Sequence, residues 1–174
     1  MDKRFGQGGW TLVEILVGTV LLIGGGGAVL LGMNSALIHA DYLSQFQVAM
    51  NAAQGELEQL SALPFDTLWS GVEFANARAN GQRVELPPEL AEGLPGGAIA
   101  IKIRSADLRN PTNPALLDLY VAACWQSRGR RIGEDQNCNG QLDPGEDGAT
   151  TLNPVPNGWI DSPAMVSTRI ARRD

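Results

Sequence analysis

The stretch Gly8–Met33, GGWTLVEILVGTVLLIGGGGAVLLGM, decides how the rest of the chain is read. After Trp10 it is apolar almost without interruption for roughly 24 residues, about the length at which a helix crosses the hydrocarbon core of a bilayer. One carboxylate, Glu14, sits inside the run. An unpaired acid at membrane depth costs about 2.5–3.5 kcal/mol, which makes Glu14 a functional candidate. The plainer alternative is an acid near a helix N-terminus that reaches the membrane interface. Residues 1–9, MDKRFGQGG, form a short polar leader ending in glycines. By the positive-inside rule, Lys3 and Arg4 predict a cytoplasmic N-terminus, with the C-terminal part across the membrane. An ordinary secretory signal also starts basic and turns apolar, but its apolar core is about 7–15 residues and ends in a small-x-small cleavage site. Here the run is longer, and Asn34–Ala40 makes a poor site. An uncleaved signal anchor remains as the alternative.

The order Gly8-Gly9-Trp10-Thr11-Leu12-Val13-Glu14 resembles the class III signal of type IV pilins and pseudopilins. That family's pattern is Gly, usually Phe, then Thr-Leu-aliphatic-Glu; Trp10 stands where the Phe usually does. The resemblance implies that a prepilin peptidase cuts after Gly9 and that Trp10 becomes a methylated N-terminus. It also implies that Glu14 meets the N-terminal ammonium of a neighbouring subunit and so sets axial register in a filament. A buried carboxylate is tolerable on those terms, with a cation close and its other lone pairs hydrogen-bonded. The implied fold is the α+β pilin fold, a long N-terminal helix on a small antiparallel sheet.

Taken in order, residues 10–33 read as the transmembrane or filament-core helix and 34–63 as an amphipathic spine. Gly24–Gly27 break the apolar run, and each glycine costs about 1 kcal/mol relative to Ala in a helix. Local unwinding is the favoured reading of them. A small-residue packing face through Gly24, Ala28 and Gly32 is the close second. In the spine, Leu43, Phe46, Met50, Ala53, Leu57 and Leu60 alternate spacings of three and four, which predicts one apolar stripe facing the domain. Pro64 ends the helix. Residues 64–97 carry Asn-Gly, Pro-Pro and Pro-Gly and read as a connecting loop. Residues 98–174 hold the expected antiparallel sheet, with strands over 98–104, 116–125 and 164–171.

One motif in that region has metal-binding chemistry. Asp135-Gln-Asn-Cys-Asn-Gly-Gln-Leu-Asp-Pro-Gly-Glu146 matches the calcium-loop pattern D-x-[DN]-x-[DN]-G-x5-E at every specified position. Asp135, Asn137 and Asn139 alternate so that their oxygens converge, and Gly140 permits the sharp turn. Gln141 supplies its carbonyl, Asp143 a direct or water-mediated ligand and Glu146 a bidentate carboxylate, an all-oxygen set suited to Ca2+. Leu142 is the apolar anchor. Asp147 is the substitute for Glu146 in a shorter loop. The flanks are rich in Gly and Pro rather than helical, so the motif resembles the helix-free calcium loops of bacterial surface proteins. The alternative is an Asx-rich turn that needs no metal. Asn153, Asn157, Gly158 and Asp161 repeat the spacing of Asp135, Asn139, Gly140 and Asp143. That copy has Ala164 where Glu146 maps, so it reads as degenerate.

Cys124 ends the best strand and Cys138 lies within the loop. Their disulfide is expected beyond the cytoplasm, where such bonds persist, and it closes a loop worth about 3 kcal/mol. Two buried thiols are the alternative. With no histidine nearby, the pair makes neither a zinc site nor a nucleophile. A net charge of −6 and a pI near 4.7 argue against a nucleic-acid partner, and no constellation points to an enzyme.

The resemblance therefore implies a structural role, a minor pilin that primes or modifies pilus assembly. V-type minor pilins and the I-type pseudopilins of type II secretion look most similar, on Ala52–Leu60 (AAQGELEQL), the Trp-ending strand and the short last strand. The implied partners are other major and minor pilins, the prepilin peptidase and the inner-membrane assembly platform. The implied location is the bacterial inner membrane, single-pass with a periplasmic C-terminal domain, and then the pilus. The rivals are a minor pseudopilin of a type II secretion system and a membrane-anchored extracytoplasmic calcium-binding adhesin.

Overall fold

A computed structural model describes residues 11–107, 109–147 and 157–172. The fold is α+β. One long helix, α1 (Leu12–Ser61), precedes a five-stranded antiparallel sheet. The strands are β1 (Gln82–Val84), β2 (Ala98–Ser105), β3 (Leu116–Ser127), β4 (Arg130–Ile132) and β5 (Met165–Ala171). β1 pairs with β2 and β2 with β3, while the long β3 takes β5 along its first part and β4 along its last. The chain divides into two compact units, Met1–Asp41 and Tyr42–Asp174.

The described part of the first unit is helical from Leu12 onward, and its large apolar side chains are exposed: Leu12 by 79%, Leu22 by 76% and Leu31 by 73%. The helix that carries this unit is long and apolar enough to cross a membrane, with a mean hydropathy of 2.2 over its most apolar window. Gly24–Gly27 are helical and do not unwind. A Cβ at any of these four positions would meet nothing within 4 Å. In the subunit by itself the backbone hydrogen bonds of the helix prevail over the modest cost of each glycine.

In the second unit, α1 presents a face of small residues. Ala49, Ala52, Ala53 and Leu60 are buried, with Tyr42, Phe46, Met50 and Leu57 partly so. Opposite them stand Ile99, Ile101 and Ile103 of β2 and Leu117, Leu119, Val121, Ala123 and Trp125 of β3, every second residue, as strand geometry requires. The expected stripe is corrected at Leu43, which is 57% exposed. At about 100° per residue Leu43 lies within roughly 20° of the partly buried Met50, so helical period alone does not account for its exposure. Gln45 takes its place, accepting a hydrogen bond from Trp125 Nε1 at 3.2 Å.

Residues 64–97 are more than a connecting loop. They carry α2 (Phe65–Ser70), a 3-10 turn (Val72–Phe74), α3 (Ala75–Ala79), β1 and α4 (Pro88–Ala91). Each is too short to show a period, yet Phe65, Leu68, Ala77 and Leu94 all enter the core. β4 was likewise illegible, being three residues of a hairpin turned by Arg128 and Gly129 at φ 49° and 79°.

Glu56 lies in the α1 segment of this unit, and burial raises its carboxyl pKa above the ordinary value. The folded state thus holds the proton more tightly than the unfolded chain does. The associated stability is complete below the unfolded pKa of about 4.3 and is lost as pH rises through the raised value. Glu56→Gln is expected to raise the melting temperature at pH 7 and to leave it unchanged below about pH 4. Thermal melts at the two pH values check this.

Candidate functional site

Along its second half, β3 is buried on both faces, Val121 to Trp125 without a break. The outer face there is built of small residues. Ala98 and Cys124 form one apolar cluster with Cys138; Ala100 and Ala122 form another with Ile160, against which Leu142 and Met165 pack. Small side chains on the sheet leave room for two covering segments, 133–146 and 157–164. Leu142 thus anchors the first segment on the sheet, and the Cys124–Cys138 disulfide ties it there, with Cα atoms 5.8 Å apart.

The 135–146 loop is organised by main-chain N–H groups turned onto side-chain oxygens. Asp135 is fully buried and accepts from Asn139 N at 3.0 Å and Gly140 N at 2.7 Å. Asn137 Oδ1 accepts from Asn139 N at 2.8 Å, and Asn139 Oδ1 from Gln141 N at 2.7 Å. Glu146, 7% exposed, spans the loop by accepting from Gln136 N at 3.0 Å and Asp143 N at 3.1 Å. The amides of Asn137 and Asn139 both donate to one oxygen of Asp143, Oδ2, at 2.9 and 2.8 Å. Asn137, Asn139 and Asp143 therefore meet at one point, with Asp135 and Glu146 closing the ends.

The donor set is all oxygen with three carboxylates, the chemistry that hard divalent cations select. At Asp143 Oδ2 it is the amide N–H groups of Asn137 and Asn139 that converge, while their Oδ1 atoms accept from the main-chain N–H groups of Asn139 and Gln141. Among the described residues, no three His, Cys, Asp or Glu side chains stand close enough together to hold a metal ion. Asp135, Asp143 and Glu146 thus do not by themselves form such a group.

Gly140 is required here for two reasons. Its φ is +76°, and a Cβ would run into the main chain of Arg83. The loop lies against β1, where Arg83 Nη1 donates to Cys138 O at 2.9 Å and Leu142 N donates to Asn80 O at 3.0 Å.

A second turn repeats much of the first turn's bonding, with its ends supplied from unexpected places. Asp147 accepts from Asn157 N and Gly158 N, both at 2.8 Å, as Asp135 does from Asn139 and Gly140. Asn157 Oδ1 accepts from Trp159 N at 2.7 Å, and Asn157 Nδ2 donates to Asp161 Oδ2 at 2.8 Å. Glu134, fully buried, accepts from Asp161 N at 3.1 Å, which is the part Glu146 plays in the first turn. So Asp147 heads the second turn rather than substituting for Glu146, and the acid missing at Ala164 comes from Glu134. Asn153, expected to head the copy, lies outside the described residues. Linear spacing missed this because the turn's two acids flank the first loop in sequence.

In the first unit, Glu14 is engaged within its own chain. Thr11 N and Thr11 Oγ1 donate to Glu14 Oε2 at 3.1 and 3.2 Å, and Glu14 N donates back to Thr11 Oγ1 at 3.3 Å. This reciprocal capping box at the start of α1 was legible as Thr-x-x-Glu and was not anticipated. Glu14 Oε1 has no hydrogen-bond partner among the described residues. Gly9 and Trp10 lie outside them.

Comparison of the chain with protein-family models, with curated proteins and with solved structures found no match.

Gly140→Ala is expected to destabilise the second unit by more than the roughly 1–2 kcal/mol of the left-handed conformation alone. Gly129→Ala, at φ +79° with open space around it, should show only that smaller loss. Denaturant midpoints of the two variants measure the difference.

Proposed function

We propose that this chain is a minor subunit of a type IV-pilus-like filament, processed by a prepilin peptidase after Gly9 and structural rather than catalytic. The observation that carries the proposal is the first unit: a helix apolar on every side, exposed over its length, with one carboxylate in its first turn. Such a surface needs lipid before assembly and other helices after it. The same residues then serve in both settings, which is what a filament subunit drawn out of a membrane requires. Glu14 offers one carboxylate oxygen beyond its own cap, and the ammonium created at Trp10 of a neighbouring subunit is the cation proposed for it.

We further propose that the 135–146 loop takes Ca2+, held by Asp135, Asn137, Asn139, the Gln141 carbonyl, Asp143 and Glu146. The ion would bring two positive charges to a loop that carries three carboxylates. Its role is to stiffen the segment that covers the outer face of the sheet.

N-terminal sequencing of the protein from membranes is expected to begin at methylated Trp10; an intact Met1 would sink the proposal. Glu14→Gln keeps the capping box, since Gln also closes one, but removes the charge. It is expected to be cleaved normally and to be excluded from filaments. Incorporation at the wild-type level would show that the cap, not the charge, is what matters. For the loop, calcium at about 100 times its Kd should stabilise by about 2.7 kcal/mol, a rise of at least about 5 °C in melting temperature. Glu146→Ala should abolish that rise. A wild-type protein indifferent to calcium ends the metal proposal.

A further inference from the structure

β3 runs back toward the place where α1 enters the second unit. Its first residue, Leu116, pairs with Ala171, and the neighbouring Arg172 meets Asp66, just past the end of α1, at 3.2 Å. Its far end carries Trp125, whose ring lies 6.4 Å from that of Tyr42 and whose Nε1 donates to Gln45. Past Trp125, β3 and β4 close a hairpin in which Ser127 pairs with Arg130, so Arg128 and Gly129 form a two-residue turn. The tip lies about 10 Å further along the strand than Trp125. The base is held firmly: Trp125 is fully buried, Gln126 N donates to Pro95 O at 3.0 Å, and Arg131 Nη1 donates to Gly96 O at 2.9 Å.

One residue does not suit the turn. A two-residue hairpin of this kind needs positive φ at both central positions, which Asn-Gly supplies at least cost. Gly129 meets that demand at φ 79°, but its companion at φ 49° is Arg128. Among the described residues the only other side chain carried at positive φ is that of Cys138, which the disulfide ties down. A left-handed arginine is backbone strain of the kind that clusters at functional positions. With Arg130 and Arg131 it puts three exposed arginines within four residues. Asp41 is the only carboxylate between Glu14 and Glu56, so α1 brings a single negative charge toward this end.

We propose that the 128–131 hairpin docks on the phosphate headgroups of an anionic membrane surface. The apolar run of α1 ends at Met33, nine residues before Tyr42, which is about 13 Å of helix. By connectivity alone, the end of the unit that bears the hairpin is the end tethered nearest that run. Guanidinium groups suit phosphate because their planar N–H forks bind its oxygens two at a time. The attraction of basic groups to an anionic bilayer fades within a Debye length, so a site close to the tether can use it and a distant one cannot. Asparagine at 128 would relieve the strain and give up the charge.

This inference rests on α1 crossing the membrane, and the experiment reads the two separately. The full chain is reconstituted into vesicles of phosphatidylcholine alone or of an equal mixture with phosphatidylglycerol, and amide hydrogen exchange is followed by mass spectrometry. Segments within 12–33 are expected to be protected in both, as an inserted helix requires. Segment 126–132 is expected to exchange more slowly in the mixed vesicles, by about fivefold for each arginine engaged. In about 1 M NaCl, where the Debye length is about 3 Å, that slowing should vanish. Arg128→Asn, which suits the turn, and Arg130→Gln should each reduce it. Equal exchange of 126–132 in the two vesicles, with 12–33 protected, overturns the docking site and leaves the membrane helix standing. A slowing that both variants retain in full also overturns it. Exchange of 12–33 at the rate of an unstructured chain overturns both.

Discussion

A single helix has to satisfy two solvents. Over its first part, α1 exposes Leu12, Leu16, Leu22, Leu30 and their neighbours, a surface that water does not tolerate in isolation. Within the second unit its apolar contact is centred on Ala49, Ala52 and Ala53, over which a sheet can lie closely, with Phe46, Met50, Leu57 and Leu60 around them. Everything else follows from that division. The first part is long and apolar enough to cross a membrane. The second needs one sheet with a branched-aliphatic inner face, and β2 and β3 provide it.

That sheet has a second face to account for. Small residues there, Ala98, Ala100, Ala122 and Cys124, would leave apolar surface open to water if nothing covered them. Two Asx-rich turns do so, pinned by the disulfide, by Leu142 and by Ile160. Asp135, Glu146 and Glu134 are buried, with main-chain N–H groups donating to each; a carboxylate accepting such bonds tolerates burial that a lone one would not. The turns are therefore structural cover first. A cation at the first of them would add stiffness to a cover already in place.

Much of the fold was legible because it rests on local period. The apolar run, the Pro64 stop, the three long strands and the calcium-loop pattern each repeat within a short window. The same locality marked Glu14, although Thr11 as its capping partner went unread. Leu43 was misplaced because a helical period tells which face a residue is on, not whether anything in the fold reaches it there. β1, β4 and the short helices were missed since three to six residues carry no period. Their burial is set by what lies opposite them.

What the sequence determined by itself is the apolar helix, the strand-forming stretches and the chemistry of the 135–146 loop, all matters of neighbouring residues. What only the tertiary structure decided is which acids close the second turn. Glu134 and Asp147 reach it because the first loop folds back so that its two flanks lie side by side. Proximity created by a closed loop has no signature in linear spacing, so Ala164 looked like a gap. The same closure is why Gly140 had to be glycine twice over: once for its own φ, and once for the strand at Arg83.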